Sequence, residues 1–325
     1  MSRRVAVAVL DDYTSAALES ADWARIVPEA DLTVFAEPIP AASRAEVLRP
    51  FEVVVAMRER MPVPASLLQE LPNLRLLVTT GMRNRAIDIE AAGGIGIVVA
   101  GTGVKSGTTA ELTWALILGL LRDVPANDAL LRSGGWQSTA SGDLAGETLG
   151  LLGLGRLGTR VARVGQALDM DVVAWSPHLT PERAAEAGVE AVSRLELFER
   201  SRVVSLHLVL AESTRGIVGA RELEALGPDA YLVNTSRSGL VGQDALRAAL
   251  HAGTIGGAAL DVFDEEPLPA DAWVRSAPRT ILSPHLGYVT RENLRVVYRE
   301  AAEDIRGFLD GATPRVLGAV DGQGR

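Results

Sequence analysis

Short β-rich apolar runs recur along this chain, spaced so that one helix fits between each pair. In the first hundred residues they fall at Val5–Leu10, Leu32–Phe35, Val53–Ala56, Leu74–Val78 and Ile95–Val99. Helix-compatible segments lie between them, such as Arg44–Leu48 and Ala65–Glu70. Strands buried on both faces need continuous rather than alternating apolar residues, so the pattern predicts a parallel α/β sheet. A long helix is predicted over Thr108–Arg122, starting from capping chemistry at Ser106, Gly107 and Thr108, with Pro125 shortly past its end. Trp114, Ile117, Leu118 and Leu121 give it a wide apolar face, suited to burial between domains or against a second subunit. A second series begins near Thr148, with strands predicted at Leu149–Leu152, Val172–Trp175, Val203–Leu206, Ala230–Asn234, Gly257–Asp261 and Thr280–Ser283. Helices separate the first five, a Pro-rich loop precedes the last, and the result reads as a doubly wound sheet of about six strands. A last helix is expected at Arg291–Leu309, and Gly318–Arg325 reads as a frayed tail.

Length and composition narrow the class. At 325 residues the chain exceeds what one core usually organises, so two domains are expected. An apolar fraction of 47% and a charged fraction of 22% are those of an ordinary globular enzyme. With a net charge of −9 and no dense Lys/Arg run, nothing would neutralise a phosphate track, which argues against a nucleic-acid partner. The absence of cysteine excludes disulfides, thiolate nucleophiles and cysteine metal sites. Val5–Leu10 is too short to span a membrane and is ended by Asp11-Asp12; it reads as a buried first strand, and a cytoplasmic protein is expected.

One stretch carries specific chemistry. Gly153, Gly155 and Gly158 have the spacing G-x-G-x-x-G, between a predicted strand and a helix marked by Val161, Val164 and Leu168. The first glycine permits the tight turn, the second lets backbone approach a pyrophosphate, and the third lets helix pack on strand. The helix start then offers free N–H groups and a positive dipole end to phosphates. A second strand follows at βαβ distance, which favours a dinucleotide site over a plain structural turn.

Polar residues at the carboxyl ends of the later strands are the other candidates, because open α/β sheets bind ligands there. Asn234-Thr235-Ser236-Arg237 follows one strand, Asp261 ends the next, with Asp264-Glu265-Glu266-Pro267 beyond it, and Ser283-Pro284-His285 follows the last. A guanidinium can hold a substrate carboxylate and polarise a keto oxygen. A carboxylate beside an imidazole favours its protonated form, and such a cation can protonate a carbonyl oxygen as hydride reaches the carbon. Taken singly, each residue is more simply read as structural; their conjunction downstream of a glycine-rich turn reverses that.

These motifs together resemble the D-isomer-specific 2-hydroxyacid dehydrogenases. Four segments carry the likeness: Gly150–Gly158, Val233–Arg237, Leu260–Pro267 and Ser283–Gly287, in the family's order and separation. The resemblance implies two doubly wound parallel-sheet domains, with a Rossmann dinucleotide-binding domain (residues 101–287) inserted into a flavodoxin-like substrate domain (1–100 and 288–325). It implies transfer of a hydride between a nicotinamide cofactor and a small 2-keto or D-2-hydroxy acid. Arg237 would bind the carboxylate and carbonyl, His285 would be the acid/base, and Glu266 would pair with it. The cofactor side would comprise Gly153, Gly155, Arg156, Leu157 and Gly158, with Ser176, His207, Thr235 and Asp261, the last near the nicotinamide carboxamide. The first domain would supply Arg60 and a glycine-containing loop, Thr79–Asn84, whose backbone N–H groups contact the carboxylate, with Gly81, Met82 and Arg83 as its substrate-binding residues. Family members are usually homodimers, and the helix from Thr108 matches their dimer-forming element.

The chain also departs from the family pattern. Met82-Arg83-Asn84 replaces a small residue and an aspartate, leaving Arg83 either to meet a second polar group of the substrate or to pair with Asp88. NAD-specific members end the second nucleotide-domain strand with an acid for the ribose; here Ser176 stands there, 23 residues past Gly153. No arginine follows it directly, although His178 and Arg183 are near in sequence, so NAD is favoured and NADP stays open. Glu266 argues against the formate-oxidising branch, which generally carries glutamine there. A reading from another class is an NAD(H)-sensing interaction protein of the same fold with little turnover.

Overall fold

The computed structural model describes residues 4–137 and 140–318. Residues 319–325, most of the tail read as frayed, lie outside them. The chain divides into two compact units: one takes in the chain up to Lys105 and from Thr290 onward, the other is Ser106–Val289.

The first unit holds a parallel sheet of β1 (Val5–Val9), β2 (Ala30–Val34), β3 (Val53–Ala56), β4 (Leu76–Thr79) and β5 (Val98–Gly101). Its order is β2-β1-β3-β4-β5, the flavodoxin-like arrangement with a switch point between β1 and β3. Every residue of β3 and β4 is buried, which is why they stand out as continuous apolar runs. Each such Val or Leu contributes on the order of 1.5–3 kcal/mol through burial. The edge strand β2 begins two residues before its β-rich part, at Ala30, because pairing with Val5 extends it. Strand β5 starts at Val98 rather than Ile95: Ile95 is solvent-exposed, and Gly96, at φ +80°, makes the turn that ends the helix Ile89–Gly94. The helix Arg291–Leu309 also belongs to this unit. The Thr290 hydroxyl caps it by accepting the Asn293 N–H, and Leu294, Val297, Ala301 and Ile305 are buried along one stripe.

The second unit holds β6 (Thr148–Leu152), β7 (Asp171–Trp175), β8 (Glu190–Ala191), β9 (Val203–Leu206), β10 (Tyr231–Asn234), β11 (Gly257–Leu260) and β12 (Thr280–Leu282). They form one parallel sheet in the order β12-β11-β10-β9-β6-β7-β8. The strand order reverses between β6 and β9, so a dinucleotide crevice is expected outside their carboxyl ends. The seventh strand, β8, has only two residues paired to β7, too short to register as an apolar run. The helix Thr108–Leu121 buries Trp114, Ile117 and Leu121 in this unit's core, but Leu118 is 38% exposed and drops out of the expected face. Its start lies at Gly107, one of the three residues expected to cap it. No hydroxyl caps it; Gly107 occupies the N-cap at φ +107°, a left-handed conformation suited to glycine. Among the described residues no helix is long and apolar enough to cross a membrane.

Candidate active site

In the second unit the expected residues follow successive strands of one parallel sheet. Gly153 follows β6, Ser176 follows β7, His207 follows β9, Thr235 to Arg237 follow β10, Asp261 follows β11 and His285 closely follows β12. Parallel strands run the same way, so all six positions lie at one edge.

The glycine turn fits a dinucleotide pyrophosphate. Gly153 sits at φ +114°, and a Cβ there would be 2.7 Å from the His207 carbonyl carbon. A Cβ at Gly158 would be 2.1 Å from the Gly153 oxygen, so this glycine is needed for the helix Arg156–Ala167 to approach β6. Gly155 is different: a Cβ would meet open space within 4 Å, so packing does not demand a glycine there. It is the N-cap, and no side chain caps the helix. Uncapped N–H groups beside open space at a switch point suit a phosphate ligand. Arg156 is exposed and Leu157 half-buried at the first two helical positions.

Around this turn, the Leu154 N–H donates to Ser176 Oγ at 3.0 Å, which holds the serine beside the glycine loop. The His207 N–H donates to the Leu152 oxygen at 2.8 Å, and its ring shares a 3.0 Å hydrogen bond with Ser205 Oγ. Burial pushes the His207 pKa down to about 4, so the imidazole is neutral at neutral pH. Thr235 is buried, its hydroxyl 2.8 Å from that of Thr113 on the helix Thr108–Leu121.

Glu266 and His285 form a direct pair, Oε2 to Nδ1 at 2.6 Å, both side chains about three-quarters buried. The other carboxylate oxygen accepts the Phe263 N–H at 2.9 Å, fixing the acid in its own loop. Burial pushes the Glu266 carboxyl up, but the hydrogen bond and charge of His285, the Phe263 N–H and the charge of Arg237 outweigh it and hold the acid below its ordinary value. Engagement of Nδ1 leaves Nε2 as the ring nitrogen able to exchange a proton with a ligand. His285 itself has φ +54°, an uncommon backbone state for a residue with a Cβ, of the kind found at functional sites.

That conformation is held by Asp261. Its two oxygens accept the N–H groups of Leu286 at 2.7 Å and Gly287 at 2.9 Å, and the side chain is wholly buried. Burial pushes its carboxyl up, against the pull of those donors and of His285. The carboxylate is thus turned to the loop that carries His285, where the sequence suggested only the nicotinamide. Arg237 is braced in turn: Asn234 accepts the Ser236 N–H and donates to the Arg237 oxygen, and Ser236 Oγ donates to the Leu208 oxygen.

In the first unit, Arg60, Gly81, Met82 and Arg83 lie in the loops after β3 and β4. Arg60 Nη1 donates to the Asp11 oxygen at 2.5 Å and stacks on Tyr13 with its guanidinium 4.3 Å from the ring centroid. Asp11 and Tyr13 follow β1, so this contact spans the β1/β3 switch point; the same strand-end rule, applied to the first series, points to them. Gly81 sits at φ +116° with the Arg58 guanidinium against it. Its N–H donates to Thr102 Oγ1 at 3.0 Å, which ties the loop to the residue after β5. The N–H groups of Met82 and Arg83 have no internal acceptor among the described residues. Asn84 is buried and anchors the loop, donating to the Arg58 oxygen and Thr79 Oγ1 and accepting the Ala86 N–H. Asp88 caps the helix Ile89–Gly94, and no ion pair joins it to Arg83.

Comparison with known proteins adds independent support. The family model for the D-isomer specific 2-hydroxyacid dehydrogenase, NAD binding domain, matches residues 114–287. The chain is 38% identical over 262 residues to a glyoxylate reductase of Aeropyrum pernix, covering 78% of each sequence. It is 34% identical over 278 residues to a D-3-phosphoglycerate dehydrogenase of Archaeoglobus fulgidus, covering 84% of this chain but only 53% of that protein. A crystal structure of a phosphoglycerate oxidoreductase from Vibrio cholerae superposes with a TM-score of 0.89 at 35% identity, covering 95% of this chain and all of the other. A nicotinamide-dependent oxidoreductase of 2-hydroxy acids, with NAD as its cofactor, follows from these matches and the glycine turn. The chain belongs to the D-isomer-specific 2-hydroxyacid dehydrogenase family.

Proposed function

We propose that this protein reduces a 2-keto acid to the D-2-hydroxy acid, with Arg237, His285 and Glu266 as its catalytic residues. The observation that carries the reading is the 2.6 Å Glu266–His285 pair, on a loop clamped by Asp261 at the same sheet edge as the glycine turn. Bound reduced cofactor supplies the hydride that reaches the keto carbon. The chain's own residues do the rest. Arg237 holds the substrate carboxylate and draws electron density toward the keto oxygen. His285 delivers a proton from Nε2 to that oxygen as it gains charge, and Glu266 stabilises the imidazolium before transfer and orients the ring. The reverse reaction returns the proton to the neutral ring. Asp261 serves by fixing the backbone that presents His285. In the first unit, Arg60, Gly81, Met82 and Arg83 make up the substrate-binding loops, with the Met82 and Arg83 N–H groups as donors.

The test is oxidation of NADH and NADPH at 340 nm across glyoxylate, hydroxypyruvate, pyruvate, phenylpyruvate and 2-oxoglutarate. Turnover of one or more is expected. Tight NADH binding with silence across the panel would instead support the sensing protein.

NAD is the preferred cofactor in this reading. Ser176 accepts a hydrogen bond within the fold and carries no charge to repel a 2′-phosphate, while no arginine stands directly beside it. Ser176→Asp is expected to raise the NADH-to-NADPH ratio of kcat/KM at least about tenfold, since a carboxylate holds the ribose hydroxyl and repels the phosphate. An unmoved ratio would show that Ser176 does not face the ribose.

The cytoplasm is the compartment in which this reading puts the protein, because it holds the reduced nicotinamide pool. A homodimer is inferred as well. The helix Val124–Arg132 buries none of its residues, and Val124, Leu131 and Trp136 lie 55%, 58% and 74% exposed along this segment. So much uncovered apolar surface suits a second copy of the chain. Sedimentation equilibrium returning a monomer at micromolar concentration would overturn it.

A further inference from the structure

We propose that Arg83 binds a second anionic group of the substrate, so that the preferred substrate is a 2-keto acid carrying a distal carboxylate or phosphate. The inference rests on the proposed reductase reading and concerns the loops at the carboxyl end of the first unit's sheet.

Most charged groups in those loops are engaged within the fold. Asp11 faces Arg60 and Tyr13. Asp12 accepts the N–H groups of Ala16 and Ala17. Arg60 is held by the Asp11 oxygen and the Tyr13 ring. Arg58 donates to the Thr80 oxygen beneath Gly81, and Glu59 and Arg85 have partners of their own. Arg83 differs: its side chain is exposed and, among the described residues, has neither an ion pair nor a hydrogen bond. Asp88, its nearest sequence candidate, caps a helix instead.

An exposed arginine is ordinary on a helix surface, but this one is built into a held loop. The residue two before it, Gly81, is fixed by Thr102 and by its left-handed backbone; the residue after it, Asn84, is buried in three hydrogen bonds. The loop's position is set, and only its outward groups remain uncommitted: two backbone N–H donors, the Met82 side chain at 48% exposure, and the Arg83 guanidinium. Successive N–H donors hold one anionic group. The guanidinium, at the end of a long side chain, offers a second and separate planar donor for a carboxylate or phosphate. Met82 gives apolar cover to carbon atoms between them. A substrate with a single carboxylate and no chain would leave both side chains idle. The chain's net charge of −9 makes a local cation of this kind the more consequential for anion capture.

The experiment compares kcat/KM with NADH for matched pairs of 2-keto acids: 2-oxobutanoate against oxaloacetate, 2-oxopentanoate against 2-oxoglutarate, and hydroxypyruvate against its phosphate ester. The wild type is expected to favour the doubly anionic member of at least one pair by about tenfold or more. The identity of that pair tells carboxylate from phosphate. In Arg83→Ala that preference should collapse about tenfold, with Arg83→Lys recovering part of it, and raising ionic strength should weaken it in the wild type because the group is exposed. A wild type that favours the singly anionic member of every pair, or a ratio that Arg83→Ala leaves unmoved, would overturn the inference while the reductase reading stands. Failure to turn over any of the six compounds, with NADH bound, would overturn both.

Discussion

Replacing His285 with glutamine will lower kcat for keto-acid reduction by roughly 10²–10⁴-fold, the range that positioned proton transfer contributes. The Kd for NADH will stay within about threefold, because the glycine turn that suits the pyrophosphate does not depend on this side chain. Stopped-flow hydride transfer and a fluorescence titration separate the two quantities. Glutamine keeps the size and a donor toward Glu266 but has no proton to transfer, so packing loss does not confuse the outcome. The pH dependence follows from Glu266. Its folded pKa lies below the ordinary 4.5, so the carboxylate's pairing with His285 is fully present above that value and is lost as pH falls through the depressed one. Acid inactivation through this acid therefore sets in below pH 4.5, and Glu266→Gln removes that step. Normal turnover in His285→Gln would remove the residue from the chemistry.

The second large effect is expected at Arg237. Arg237→Ala should lower kcat/KM by about 10³-fold, since a charge-assisted bond to the carboxylate and polarisation of the keto oxygen are lost together, some 4 kcal/mol in all. Both kcat and KM should move, because the same group acts in the bound state and in the transition state. Arg237→Lys should restore little, as an ammonium cannot reproduce the planar fork. Steady-state kinetics with the best substrate of the panel decides it, and a variant with unaltered constants would exclude the role. The loop itself should survive, for Asn234 and Ser236 hold it through backbone partners.

Much of the fold was legible because parallel strands leave a strong signature. β3, β4, β9 and β11 are buried at every position, and burial on both faces demands unbroken apolar runs. Elements without that demand were read less well. β8 is two residues long at an edge, and β2 is extended by its partner rather than by its own composition. The helix from Thr108 shows the same limit: Leu118 matches the periodic face, yet the core it packs on does not reach it.

By itself the sequence determined the kind of sheet, the glycine turn and the polar residues that follow each strand, because these depend on local periodicity and on conformations that few residues can adopt. Only the tertiary structure decided what those residues touch. Asp261 grips amides of Leu286 and Gly287, and Gly81 gives its N–H to Thr102. Arg60 finds Asp11 and Tyr13 across a switch point, while Arg83 is left without a partner among the described residues. Such contacts join residues more than twenty positions apart. They are set by strand order and register, which bring loop ends together at distances that no local pattern encodes.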